Sequence, residues 1–251
     1  MLRRILLFTL SVLMTGWLLA GDTRAQVSFT LSAYDINDAY LEVLGREVKD
    51  HELQYWQSVA LASKQELASE LKHGLTLPDA ASELVDVINR AYFIGFGRFS
   101  TGDEYEYWKK KIMSKPLGYS DVLNAARKWL QTEAGAKDAK EMIERAYQMA
   151  MGRAATAEDQ SYWLNSLKQK SIIFPELVTA CVKYMLGPER RQRFELRSMV
   201  KRAYKAAGIA APSEYELDAW EKIEQEYKEP YTMVLLDLKK LGPMTQKVMK
   251  M

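Results

Sequence analysis

Apolar residues in this chain fall in stripes of helical spacing. Ile88, Ala91, Tyr92, Gly95 and Phe96 follow the i, i+3, i+4, i+7, i+8 pattern that an amphipathic helix buries. Met142, Ala146, Tyr147, Ala150 and Met151 repeat much of it. A Gly follows each stripe, where the left-handed conformation of a helix C-cap carries no Cβ penalty. A second helix is then announced by Thr101-x-x-Glu104, Thr156-x-x-Asp159 and Ser213-x-x-Glu216, the spacing of a capping box. Third helices are predicted from Ser63-x-x-Glu66 and near Ser120, Pro175 and Pro230. No stretch alternates with the period of two that a half-buried strand requires.

These helices belong to a pattern written four times. Ala-Tyr recurs at Tyr40, Tyr92, Tyr147 and Tyr204, and a Gly follows at Gly45, Gly97, Gly152 and Gly208. Arg comes next as Arg46, Arg98 and Arg153, with Ile209 in the fourth copy. Trp closes the pattern at Trp56, Trp108, Trp163 and Trp220, each with an acid four residues before it. The expected fold is all-α: four tandem units of about 50 residues, three short helices each, in an elongated or curved array. The units run 33–80, 81–137, 138–192 and, degenerate, 193–245. Short helices are marginal alone, and a unit this small has little core, so neighbours are expected to share one. Tyr and Trp suit a three-helix junction because each fills space and keeps one polar atom to bond.

Residues 1–25 read differently. Arg3 and Arg4 precede an uncharged, Leu-rich run from Ile5 to Ala20, and Thr23-Arg24-Ala25 supplies a small-x-small cleavage site before Gln26. The pattern is that of a signal peptide, with an uncleaved anchor as the alternative. It predicts a periplasmic or secreted protein without an integral membrane segment once the signal is removed. The chain's net charge is +2, and its excess of bases lies in this segment, so no dominant positive field is left to attract nucleic acid. The single Cys181 sits among Val178, Val182 and Met185 and reads as a buried, inert thiol.

The string from Gly45 to Trp56, Gly-Arg-Glu-Val-Lys-Asp-His-Glu-Leu-Gln-Tyr-Trp, resembles the motif of the bacterial DUF4214 repeat family. In that motif Gly-Arg leads through a turn of Pro and Asp and a second Gly to Tyr-Trp. Gly97 to Trp108 and Gly152 to Trp163 match at the same spacing, while Ala203 to Trp220 lacks the Arg and the Tyr. Val48-Lys49, Ser100-Thr101 and Ala155-Thr156 stand in place of Pro-Asp, and Glu52, Glu104 and Asp159 in place of the second Gly. The resemblance spans about residues 33–245. It implies a helical binding or assembly module, similar in arrangement to phycobilisome linker domains, of the kind found in bacterial surface and secreted proteins. It transfers no catalytic residue.

Candidate chemistry is sparse. His51 and His73 have no companion ligands at metal-site spacing, and no catalytic, metal or cofactor residue is assigned. Arg46, Arg98 and Arg153 read as structural, bonding helix-end carbonyls or the acid of the next helix; a ladder for an anionic partner is the other reading. The run Arg190, Arg191, Arg193, Arg197 and Lys201, with Glu189 and Glu195 interleaved, reads as a solvated face. The expected function is that of a non-enzymatic, extracytoplasmic component that binds other envelope or filament proteins, as in an envelope complex, a surface layer or a periplasmic filament coat. The alternative is a glycan-binding module for cell wall or exopolysaccharide. Met233, Val234, Leu235, Leu238 and Leu241 are broader than one stripe and mark a possible protein interface in the fourth unit. The oligomeric state is left open.

Overall fold

A computed structural model of the chain describes residues 31–241. The signal reading of residues 1–25 lies outside the described residues, as do the last ten positions. Among the described residues the chain is entirely helical, with twelve α-helices, one 3-10 turn and no strand. They are α1 (Ala33–Leu44), α2 (Asp50–Ser58), α3 (Lys64–Gly74), α4 (Ala81–Phe96) after the 3-10 turn Pro78–Ala80, α5 (Gly102–Ser114), α6 (Tyr119–Leu130), α7 (Ala136–Met151), α8 (Ala157–Gln169), α9 (Phe174–Met185), α10 (Arg190–Ala206), α11 (Glu214–Tyr227) and α12 (Tyr231–Leu241). None of the described helices is long and apolar enough to cross a membrane.

Local signals set the helix ends. The Thr101 hydroxyl accepts from the Glu104 backbone N–H at 3.3 Å, and the Glu104 carboxylate accepts from the Thr101 N–H at 2.7 Å. Thr156 with Asp159 and Ser213 with Glu216 form the same reciprocal pair. α2 has no side-chain cap at Lys49; Glu52 alone reaches back, accepting from the Lys49 N–H at 2.9 Å. The Ala-Tyr helices α1, α4, α7 and α10 each run into a Gly with φ between 65° and 72°. α6, α9 and α12 open on an aromatic residue: Tyr119, Phe174 and Tyr231.

Packing follows a regular offset. α1 lies on α3, α4 on α6, α7 on α9 and α10 on α12. Each later member of these pairs also reaches backwards, α6 to α1, α9 to α4 and α12 to α7. The buried residues accordingly form one hydrophobic cluster from Ile36 to Leu238, with no break between the four Ala-Tyr helices. Helices of this length gain most of their stability from such shared packing. Glu224 is the one charged residue buried among the described residues.

Candidate functional site

The repeated residues meet at the junctions between helices. Each Trp indole N–H donates to the hydroxyl of the Tyr sixteen residues before it, over 2.8 Å from Trp56 to Tyr40, 3.1 Å from Trp108 to Tyr92, 3.0 Å from Trp163 to Tyr147 and 3.1 Å from Trp220 to Tyr204. The spacing survives in the fourth copy because its two one-residue shifts cancel between Tyr and Trp. Trp108 and Trp220 are buried, and Trp56 and Trp163 are half-buried. Burial pushes the Tyr40 and Tyr92 hydroxyls up to about 12, so they stay protonated over the physiological range.

The Arg after each of the first three Gly residues is a clamp between three elements. Arg98 donates to Glu104 of α5 through both terminal nitrogens at 2.7 Å and to Asp138 of α7 at 3.3 Å. Arg46 does the same with Glu52 at 2.7 and 2.8 Å and with Glu83 of α4 at 3.2 Å. Arg153 holds Asp159 at 2.8 Å and Glu195 of α10 at 3.1 Å. The guanidinium groups also lie over Tyr40, Tyr92 and Tyr147, 4.9–5.5 Å from the ring centres. Burial alone would raise the Glu52 and Glu104 carboxyls. The hydrogen bonds from Arg46 and Arg98, with those from the Lys49 and Thr101 backbones, outweigh it and hold both below the usual range. These arginines thus bond the acids of the next helix and of the next Ala-Tyr helix; both charges of each partner pair are already engaged, which leaves little for an anionic ladder.

A second arginine was missed by the sequence reading. Arg90 donates through Nε to the Leu44 carbonyl at 2.9 Å, Arg145 to the Phe96 carbonyl at 3.0 Å and Arg202 to the Met151 carbonyl at 2.9 Å. Each caps the C-terminus of the preceding Ala-Tyr helix, where orphan carbonyls and the helix dipole favour a cation. The signal was in plain sight: Arg-Ala-Tyr at 90–92, 145–147 and 202–204, against Asp38-Ala39-Tyr40 in the first copy. Asp38 instead pairs with Lys64 of α3 at 2.5 Å.

An aromatic seat completes each junction. A Cβ on Gly45 would lie 2.4 Å from the Tyr119 ring, one on Gly97 2.5 Å from Phe174, and one on Gly152 2.5 Å from Tyr231. The glycines thus serve twice, turning the chain at positive φ and letting an aromatic of a later helix lie flat on the turn. Around Gly208 a Cβ would meet nothing within 4 Å among the described residues.

No family model, no curated protein and no solved structure matches the chain.

The remaining sequence candidates separate clearly. Cys181 is buried, and burial pushes its thiol up to about 12, so it holds no thiolate near neutral pH. His51 and His73 are exposed. Within the basic run, Arg197 bonds Glu214, Asp218 and Glu221 of α11, and Arg193 joins Glu221 at 3.0 Å, so this stretch ties α10 to α11. Of the apolar set in α12, Val234 and Leu238 are core residues, Leu235 is half-buried and Met233 is exposed; the side chain of Leu241 lies outside what is described. Two of the five are therefore buried by the chain itself and cannot face a partner. Exposed aromatics lie elsewhere. Tyr55, Tyr107 and Tyr162, each just before a Trp and edge-on to it, are 50%, 52% and 64% exposed.

Proposed function

We propose that the chain is an extracytoplasmic, non-enzymatic assembly component, built as four tandem units of three helices and related in design to the DUF4214 repeat. The units are α1–α3, α4–α6, α7–α9 and α10–α12. The observation that carries the reading is the thrice-repeated joint: Gly, clamping Arg, two acids, a carbonyl-capping Arg and a seated aromatic recur between successive units. The repeated polar groups are spent on holding the units together, which suits a protein whose product is surface rather than a reaction. The signal-like segment of residues 1–25 supports a periplasmic or secreted location and partners among envelope or filament proteins. Crosslinking in the producing cells followed by affinity purification tests this. Stoichiometric recovery of one or a few envelope proteins is expected; recovery of the chain alone overturns it. The amino terminus of the recovered protein should be Gln26, and an intact Met1 in carbonate-resistant membranes rejects the secreted form.

A second reading, glycan binding, is favoured by the exposed Tyr55, Tyr107 and Tyr162. The four repeat Trp residues are committed to their Tyr partners, so within the repeated motif stacking on sugar falls to these tyrosines. Cosedimentation with insoluble cell wall distinguishes the two: loss of sedimentation when all three tyrosines become Ala supports glycan binding, and no sedimentation of the parent protein excludes it.

A further inference from the structure

An opening of about 350 Å³ lies along the outer side of α9, walled by Phe93 of α4, Met149 of α7, Phe174, Val178 and Val182 of α9, and Pro230 ahead of α12. Its lip is aromatic. Phe93 is 43% exposed and leans on Phe99, 67% exposed, with 6.0 Å between ring centres; Phe93 also meets Phe174 at 6.4 Å. Two exposed cations, Lys183 and Lys228, complete the wall, and neither pairs with a carboxylate among the described residues. A shallower opening of about 320 Å³ shares Pro175, Thr179 and Lys183 and continues the depression towards Glu176. The Glu176 carboxylate already accepts from the Ile173 backbone N–H at 2.9 Å.

The equivalent place on α6 is different. Counted from the seated aromatic, Tyr119 corresponds to Phe174, and Arg127 then stands where Val182 does, with Lys128 at the place of Lys183. Leu41 stands where Phe93 does. The repeat tolerates a charged residue at this position, so the apolar wall at α9 is not a requirement of joining units. An apolar cleft bounded by unpaired cations favours an apolar anchor flanked by carboxylates: burial of the anchor supplies affinity, and the charges supply orientation and selection. The chain's own last ten residues do not fit, since they carry Lys247 and Lys250 and no acid.

We infer that this groove on α9 is the docking site for an acidic-apolar segment of a partner protein, an inference that rests on reading the protein as an assembly component. The test uses the full chain in its producing cells, with Thr179, exposed and shared by both openings, replaced by the photocrosslinker p-benzoylphenylalanine. The expected adduct is a different protein, joined within a few residues of both an apolar side chain and an Asp or Glu. Its yield should fall about tenfold or more when Lys183→Glu and Lys228→Glu are combined. Val182→Arg, which copies Arg127 of α6, should also abolish it; the lysine pair, lying outside the core, keeps the test valid if that variant fails to fold. Adducts to lipid, to glycan or to a second copy of this chain overturn the inference, as does no adduct or a yield indifferent to the lysines. Chemical crosslinking of the whole surface in parallel separates the two levels. Partners captured there, without a groove adduct, leave the assembly reading standing and reject the groove; no partner by either route rejects both.

Discussion

The turn after α4 and the turn after α10 both pass through a left-handed glycine and end in different company. Gly97 and Gly208 have φ of 71° and 72°. The Phe174 ring lies on Gly97, and Arg98 beside it clamps Glu104 and Asp138. No ring of the described residues lies on Gly208, and the next residue is Ile209, half-buried against the core. The difference separates two duties that the repeat combines. The glycine is required by the turn itself and appears wherever an Ala-Tyr helix stops. The arginine is required by the junction and appears only where a later helix supplies the second acid. The amino-terminal copy shows the complement: Asp38 and Lys64 stand where later copies have the carbonyl-capping Arg and the seated aromatic, and they pair with each other instead. The Tyr–Trp bond is common to all four copies and so ties each Ala-Tyr helix to the helix that follows it.

The largest effect should therefore be indifferent to position. Trp108→Ala and Trp220→Ala each remove a buried indole and leave a Tyr hydroxyl without its donor. Each is expected to cost roughly 3–5 kcal/mol, measured by chemical denaturation. A cost at Trp220 below half that at Trp108 would break the equivalence of the two pairs.

The turns should then differ. Gly97→Ala places a methyl group 2.5 Å from the Phe174 ring as well as straining the backbone, for a total of about 2–4 kcal/mol. Gly208→Ala meets no other described residue and should bear the left-handed penalty alone, about 1 kcal/mol. Equal losses at the two sites would show that the aromatic seat contributes nothing.

Much of this was legible in the sequence, and the gaps have physical causes. The stripes, the Gly stops, the Thr101, Thr156 and Ser213 caps and the Tyr–Trp repeat are local or near-local features, governed by spacing along one or two helices. The partner of Arg98 within α5 lies six residues away and was within reach of that reasoning; Asp138, forty residues on, was not. Nor does spacing reveal that Phe174 lies on Gly97, because that contact depends on how α9 reaches back to α4. The breadth of the α12 stripe suggested apolar surface, and the structure divides it: α12 touches both α10 and α7, which bury Val234 and Leu238 and leave Met233 exposed.

The carboxyl-terminal region also holds the one buried acid among the described residues. Glu224 accepts from the Glu229 backbone N–H at 2.9 Å through one oxygen, while the other has no partner. Burial pushes its carboxyl up from 4.5 to about 7; the bond from Glu229 opposes this, and the nearby Glu229 and Asp237 charges reinforce it. The folded protein thus binds this proton more tightly than the unfolded chain does. The stabilisation is complete below about pH 4.5 and is lost as pH rises through 7. Glu224→Gln should remove that decline and leave the variant roughly 3 kcal/mol more stable than the parent at pH 8, with little difference at pH 4. Parallel stability curves for parent and variant would refute the assignment, and a matching decline in hydrogen-exchange protection confined to α11 and α12 would place the sensitivity in the terminal region rather than at the joints.

The smallest expected effect is the most direct test of the opening contrast. If Arg follows Gly only to hold a later unit, restoring it at the end of α10 should bring nothing. Ile209→Arg introduces a guanidinium that has at most one acid, Glu216, and that acid is one residue further along than Glu104 is from Gly97. An exposed or half-exposed single pair contributes little, and some apolar contact of Ile209 is lost, so the net change should stay within about 0.5 kcal/mol. The reverse exchange, Arg98→Ile, leaves Glu104 and Asp138 without their shared partner in a half-buried junction and should cost about 1–3 kcal/mol. Thermal and denaturant unfolding of the two variants beside the parent measures both. A gain of more than about 1 kcal/mol from Ile209→Arg would mean that the arginine acts mainly with the acid of the next helix, and the want of a second acid would no longer explain why the fourth copy carries Ile.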